Sequence, residues 1–465
     1  MSTVAPPASA PADAADYFAR LKAHSSAIES AYAARTPASI AAFRRAAHVF
    51  PGGYTRDAIM RGPHPTFVAH ASGARMTDLD GHALTDFWFN ATSLPVGHAH
   101  PAVVAAIEAQ AARGTAYFAP TLAEVALAEL ILGRLPAAQR IRFANSGSEA
   151  VMMAVRFARA HSMATRGPGC TTLVKFEGSY HGSYDDVSWS VSPPPAQAGA
   201  REAPVAVAES SGLAGTQGRV AVLPFNDVAV LTRYVEAHHR EIAGLLVEPM
   251  ANRIGLLMPE REFLLAARAL ADRFGLVLVF DEVISFRVGY GGVQGEIGIA
   301  PDLTTLGKII GGGFAVGAIA GRADILGLSV PDLTGRVSHA GTFNGNPMMA
   351  NAGRATMELL TRDAFAQLAA LGAYARERLA DACTGLPLQV TGAGSLFKVT
   401  ATPHRLRDYR DAVTADRRWE ALCSLALLNA GFVLTPTLSG CVSLVSTRDD
   451  VDALADAFAR IVRGG

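Results

Sequence analysis

The sequence predicts an α/β fold: a large, mostly parallel sheet with helices on both faces, followed by a smaller α+β unit. Three observations carry this. Between residues 101 and 280, short apolar runs alternate with helical periods, the pattern of buried strands in a parallel sheet covered on both faces. From about residue 346 the pattern changes to a long helical stretch, then strand-like pieces and further helices. The chain has 465 residues, 50% hydrophobic and 18% charged, so it can bury a large core without disulfide or metal staples. The same composition excludes a disordered, collagen-like or disulfide-scaffold protein.

The N-terminal part reads as a tail, a helix and two strands. The start, MSTVAPPASAPADAAD, has no basic n-region and no apolar h-region, and residues 1–16 read as a loose tail without a signal peptide. Residues 17–48 read as amphipathic helix, ending at Pro51-Gly52-Gly53. Strand-like pieces at 75–79 and 84–89 flank an Asp80-Gly81 turn signal. After His98-Ala99-His100-Pro101 come helices at 101–113 and 121–134, a strand at 141–143 and a helix at 148–161. Strands at 172–176 and 220–223, a helix at 227–239, a strand at 243–247, a helix at 260–274 and a strand at 276–280 complete the alternation. The Pro/Ala/Gly/Ser-rich stretch 188–218 reads as a long loop. Residues 346–383 read as helical. Beyond them lie strands at 388–390 and 396–400, a helix at 416–430, strands at 431–435 and 441–446, and a helix at 449–463. Asp449 and Asp450 open that last helix, where its dipole favours negative charge.

Charge is balanced, 41 basic against 41 acidic residues, whereas a surface that tracks nucleic-acid phosphates carries a basic surplus. No nucleic-acid partner is expected. Cys170, Cys383, Cys423 and Cys441 are far apart and form no C-x-x-C, so they read as small buried hydrophobes in a reducing compartment. The uncharged apolar stretch 309–321 is too short to span a bilayer. The expectation is a cytoplasmic protein with no membrane segment. Only four of the basic residues are lysines (Lys22, Lys175, Lys308 and Lys398), so any chemistry that needs an amine has four candidates.

In open α/β sheets ligands bind at the carboxyl ends of the strands, which directs attention to the residues just past each strand. After the strand at 141–143 comes Asn145-Ser146-Gly147-Ser148-Glu149-Ala150. Small residues there let an anion approach the N–H groups of a helix N-terminus, or Ser148 simply starts a helix. Asp281 ends a hydrophobic run and either pairs with a cation such as a heterocyclic N–H⁺ or caps the next turn. Lys308 lies in Leu306-Gly307-Lys308-Ile309-Ile310-Gly311-Gly312-Gly313. Burial would make it a nucleophilic amine, and glycines would let a bulky adduct approach; otherwise it snorkels to water. Glu177-Gly178-Ser179-Tyr180-His181-Gly182 puts two rings between glycines, able to stack on a flat ligand. Gly341-Thr342-Phe343-Asn344-Gly345 is a further hydroxyl- and amide-bearing loop. One ligand would use all five: a flat aldehyde with a phosphate and a basic ring nitrogen, which describes pyridoxal phosphate (PLP). A nicotinamide dehydrogenase would instead show G-x-G-x-x-G between an early strand and helix, and none stands there.

The chain closely resembles the class III, fold-type I PLP-dependent aminotransferases. The likeness is strongest to the branch that holds glutamate-1-semialdehyde 2,1-aminomutase and β-amino-acid aminotransferases. It runs from about Phe50 to Ala459 through FPGG (50–53), GHAHP (97–101), NSGSEA (145–150), KFEGSYHG (175–182), FNDV (225–228), VEP (247–249) and VFDEV (279–283). It continues through FRVGYGGVQ (286–294), PDLTTLGKIIGGG (301–313), VGAIAGR (316–322) and GTFNGNP (341–347). The resemblance implies a large PLP-binding domain at 97–345 and a small domain made by 17–96 and 346–465, from both chain ends. It implies Lys308 as the Schiff-base lysine and proton shuttle, and Asp281 as partner of the pyridine nitrogen. It implies Ser146, Gly147 and Ser148 at the phosphate, Tyr180 and Val283 on the two ring faces, His181 beside the ring and Glu248 near the site. Thr342 would reach the cofactor of a neighbouring subunit, which implies a homodimer. Arg56, in Tyr54-Thr55-Arg56-Asp57, stands where relatives carry a carboxylate-binding arginine; it is otherwise a surface residue. Near the C-terminus, 434–440 lacks both the Phe-Glu-Ala of the aminomutase and the arginine of the β-amino-acid enzymes. The implied activity is transfer of an amino group from an amino acid or amine to a keto acid, with the intramolecular aminomutase reaction as the alternative.

Overall fold

A computed structural model describes residues 14–210, 213, 219–330 and 337–464. Of the expected tail 1–16, residues 1–13 lie outside the described residues, and 14–16 open the first helix, Ala14–Ala23. The chain forms two compact units. One runs from the described N-terminus to His100 and includes Ala366–Arg405 and the chain from Thr414 onward. The other comprises Pro101–Phe365 and Leu406–Val413.

The larger unit is built on a seven-stranded sheet. Its strands are β1 (Arg140–Ala144), β2 (Thr172–Phe176), β3 (Val220–Leu223), β4 (Ile242–Val247), β5 (Val277–Asp281), β6 (Leu303–Gly307) and β7 (Gly317–Gly321). They lie in the order β1-β7-β6-β5-β4-β2-β3. β7 runs antiparallel to both neighbours, and every other pairing is parallel. β5 explains why these strands read as unbroken apolar runs. Val277 and Val279 face a cluster under helix Gly147–Arg166, while Leu278 and Phe280 face one under helices Val228–His238 and Arg261–Phe274. With both faces covered, alternation in polarity disappears although the side chains still alternate. The expected loop 188–218 is irregular apart from the short pair Gly199–Ala200 and Ala203–Pro204; residues 211–212 and 214–218 within it lie outside the described residues.

The helical reading of 346–383 resolves into Pro347–Leu359 and Arg362–Cys383. Leu360 leaves helical geometry at ψ 65°, and Thr361 Oγ1 accepts from Ala364 N (3.1 Å), capping the second helix. Pro347–Leu359 packs on helices Pro101–Ala111 and Leu122–Leu132 within the larger unit.

In the smaller unit the reading of 17–48 as one helix gives way to three: Ala14–Ala23, Ser25–Arg35 and Pro37–Ala47. Thr36 leaves helical geometry (φ −122°, ψ 49°), and Pro37, which has no N–H to donate, starts the third helix. Strands Val68–Ser72, Arg75–Asp78, Ala83–Asp86 and Phe432–Val433 form one sheet, and Gln389–Thr391, Leu396–Thr400 and Ser439–Cys441 another. The strand expected at 441–446 thus lies earlier. Its pairing with Leu396–Thr400 stops at Cys441, and Ser443 to Ser446 closes as a turn (N to O 3.1 Å). The last helix, Arg448–Gly464, buries Val451, Leu454, Ala455, Phe458 and Val462, a stripe at helical spacing.

Candidate active site

Strands β1, β2, β4, β5 and β6 point the same way, so the residues just past their carboxyl ends meet at one sheet edge. Asn145–Ser148, Glu177–Gly182, Glu248, Asp281 and Lys308 all lie there, drawn from segments far apart in the chain. Register aligns the ends: Asp281 sits beside Thr305, Phe280 beside Val247, and Gly307 beside Gly317, which in turn pairs with Ala144.

Asp281 is held at both oxygens. Oδ2 lies 2.8 Å from Nδ1 of the buried His181, and Oδ1 accepts from Thr305 Oγ1 (3.0 Å) and Val283 N (3.1 Å). Burial lowers the pKa of His181 despite the carboxylate, so the ring is neutral, with its proton on Nδ1 for Asp281. Its Nε2 is buried without a hydrogen-bond partner among the described residues.

The four lysines separate clearly. Lys22 pairs with Asp416 at 2.6 Å. Lys398 lies 3.6 Å from Glu420 and donates to the Thr437 carbonyl. Lys175 is bonded to three carbonyls. Lys308 alone has no hydrogen-bond or ion-pair partner among the described residues. It comes after Gly307 with φ 51°, a left-handed backbone that costs a non-glycine residue about 1–3 kcal/mol and persists because its surroundings hold it. The next two residues, Ile309 and Ile310, are buried. Burial lowers the pKa of the Lys308 amine, opposed by the charges of Asp281 and Glu248. Glu248 moves the other way, up to about 8, through burial and then the charge of Asp281; N–H donors from Tyr180 (3.1 Å) and Asn252 (3.4 Å) limit the rise.

Beside these groups lies the N-terminus of the 20-residue helix Gly147–Arg166. Ser146 caps it, accepting from Glu149 N at 3.1 Å. The N–H groups of Gly147 and Ser148 have no protein acceptor among the described residues, and Ser148 Oγ accepts from Ser183 N (3.2 Å). Space here is tight: a Cβ at Gly147 would lie 2.8 Å from Val283 Cγ1, one at Gly182 2.5 Å from Ser148 Oγ, and one at Gly317 2.0 Å from the Ser146 carbonyl. Val283 thus occupies the gap between Gly147 and Gly307.

Thr342 is exposed, on a loop joined to the edge through Asn344 Oδ1, which accepts from Asn145 Nδ2 (2.8 Å). Arg56 is exposed in the smaller unit, just before the turn Asp57–Ile59. Sequence reasoning missed Thr305, which β-strand register alone places on Asp281. It also missed Arg253, whose guanidinium lies 4.6 Å from the centroid of the Tyr180 ring. The VEP motif shortly upstream of Arg253 was the available signal.

An unpartnered, largely buried amine near a braced aspartate stands beside a helix N-terminus whose first N–H groups have no acceptor among the described residues, an arrangement able to hold a phosphorylated, amine-reactive ligand. The family model for class III aminotransferases matches residues 58–462. The chain is 39% identical over 428 residues to glutamate-1-semialdehyde 2,1-aminomutase of Methanothermobacter thermautotrophicus, covering 91% of this chain and 98% of that protein. Among solved structures, an ω-transaminase from Sphaerobacter thermophilus superposes with TM-score 0.86 at 41% identity, covering 93% of this chain and 99% of that one. A β-phenylalanine aminotransferase from Variovorax paradoxus gives TM-score 0.86 at 33% identity, covering 96% and 98%. The chain belongs to the class III aminotransferases. It is a PLP-dependent transaminase-type enzyme with the fold of that family.

Proposed function

We propose a two-substrate aminotransferase that moves an amino group from an amino acid or amine, β-amino acids included, to a keto acid through the amine of Lys308. One observation carries this: Lys308 without a partner, the braced Asp281 and a free helix N-terminus all stand at one sheet edge.

The site fits PLP. The N–H groups of Gly147 and Ser148 and the hydroxyls of Ser146 and Ser148 are donors for a phosphate, in a cradle that a Cβ at Gly147 or Gly182 would fill. Asp281 would hold the pyridine nitrogen. Tyr180 and Val283 would pack the ring faces, with His181 and Glu248 alongside. When bound, the cofactor supplies an electron sink beside the substrate nitrogen. The chain supplies the rest. Lys308 Nζ, its pKa lowered by burial, takes the proton from the carbon next to that nitrogen and later returns one. His181 Nδ1 and Thr305 Oγ1 keep the two Asp281 oxygens from turning away. Arg56 is assigned to a substrate carboxylate on the family resemblance, as a planar fork suited to it.

The enzyme is read as a homodimer in which Thr342 reaches the partner's cofactor. In support, Phe118, Leu122 and Phe343 of the larger unit are 101%, 86% and 57% exposed, more apolar surface than a lone subunit gains from showing. Four free, buried cysteines suit the cytoplasm, and among the described residues no helix is long and apolar enough to cross a membrane.

The test is borohydride reduction of the purified enzyme and then peptide mapping, which should place the pyridoxyl tag on Lys308; a tag elsewhere, or none, refutes the assignment. A panel of α-amino acids, β-amino acids, amines and glutamate 1-semialdehyde then identifies the donor from the change in the cofactor's visible band. A second reading, intramolecular aminomutase, is favoured by the relative from Methanothermobacter thermautotrophicus. Turnover of glutamate 1-semialdehyde with no added keto acid would select it.

A further inference from the structure

We infer that Lys175 is a positioning residue of the active site: its buried ammonium clamps the segment that carries Tyr180 and His181 to the sheet edge. Lys175 lies within β2 and is 0% exposed. Its Nζ donates to the carbonyls of Ser179 (3.1 Å), Val187 (3.0 Å) and Trp189. Burial lowers its pKa to about 7, and it is the protonated form that meets all three main-chain oxygens at once, with one N–H for each. Among the described residues no carboxylate forms an ion pair with it, although buried lysines usually have one. The hydrogen bonds are therefore directed at backbone, and the charges of Glu248 and Glu209 act on the ammonium without pairing with it.

The three carbonyls belong to the two ends of one irregular segment. Ser179 immediately precedes Tyr180 and His181; Val187 and Trp189 lie where the chain returns, and Gly178 N donates to Ser190 O (2.9 Å) to close the loop. Between these ends the segment makes no strand or helix, so the ammonium ties backbone together as a ladder does elsewhere. It fixes the placement of two groups already described. The Tyr180 N–H reaches Glu248, and His181 Nδ1 reaches Asp281 Oδ2. Loss of the clamp would leave three buried carbonyls without that donor and free both contacts to drift.

This inference rests on the proposed PLP site only in the meaning given to Tyr180 and His181, and its test reads the segment directly. Lys175→Met keeps an unbranched side chain one atom shorter and removes the donor protons. Hydrogen–deuterium exchange of the apo-protein should quicken about tenfold or more in residues 179–190 while β4 and β5 keep their protection, as expected when a buried acceptor loses its donor. In the holoenzyme the PLP dissociation constant should rise by a similar factor and the visible circular dichroism of the cofactor should weaken. The fall in activity should appear in kcat, with KM for the donor little changed, and Lys175→Arg should recover part of it. Should Lys175→Met not fold, Lys175→Gln is measured in the same way. Wild-type exchange in 179–190 with unchanged PLP affinity overturns the inference. So does loss of protection spread over the whole sheet, or failure of both variants to fold, since either makes Lys175 a general stabiliser. Tag mapping on wild-type Lys308 is independent of all these results, so failure of the PLP reading is recognised separately.

Discussion

At the scale of single residues, burial and partners set the four amines apart. Lys175 and Lys308 both have lowered pKa values, Lys175 to about 7, yet only Lys308 is without hydrogen-bond partners among the described residues. Replacing Lys308 by Ala should lower kcat by at least about 10³-fold, since both the covalent link and the proton carrier are lost. Steady-state turnover with the best donor from the panel measures this, and near-normal turnover would sink the assignment. Asp281→Asn keeps the shape but removes the charge that a ring N–H⁺ would meet, and should cost roughly 10²–10³-fold in kcat. Glu248 gives a pH test. Its ordinary value is 4.5 and its folded value about 8, so the folded protein keeps a proton that the unfolded chain has released between those values. Stability from the neutral acid is therefore complete below pH 4.5 and is lost as pH rises through about 8. Glu248→Gln removes that dependence. The melting temperature of the apo-variant should gain on the wild type between about pH 5 and about pH 8.5, and a difference that stays constant with pH contradicts it.

At the scale of elements, a helix N-terminus and a strand end are brought together because glycines let backbones touch. Gly182 has φ 99°, and a Cβ there would lie 2.5 Å from Ser148 Oγ and 2.6 Å from Ser148 Cα, which is backbone and cannot swing aside. Gly182→Ala should destabilise the apo-protein by about 1–3 kcal/mol in chemical denaturation and weaken PLP binding with it. Gly169 has nothing within 4 Å of a built Cβ and no positive φ. Gly169→Ala is the control, expected within about 0.5 kcal/mol of the wild type. Equal losses in the two variants would mean that the cradle is not set by this contact.

At the scale of the whole molecule, exposed apolar residues are the informative feature. Leu122 opens the helix Leu122–Leu132, and Phe118 precedes it, almost wholly in solvent in the isolated chain. If the chain works as a homodimer, light scattering of the wild type gives twice 48.6 kDa, and Phe118→Glu with Leu122→Glu shifts it to monomer with loss of activity. A wild type that is monomeric and fully active at assay concentration excludes Thr342 from a partner's site.

Much of the architecture was legible along the chain. The parallel sheet could be read because strands buried on both faces leave unbroken apolar runs of set length, and β2, β3 and Leu396–Thr400 fall where those runs predict. Lys308 stood out because lysine is scarce and its neighbours are glycine and isoleucine. The sequence alone therefore determined the fold class, the family and the candidate amine, all of which are written in local spacing or in motifs. Only the tertiary structure decided that Thr305 and His181 brace Asp281, that Lys175 donates to three main-chain carbonyls, and that residues 14–47 are three helices. Those facts depend on strand order and register, which bring residue 181 to residue 281 and residue 305 beside it, and no periodicity along the chain records which distant partner a hydrogen bond will find.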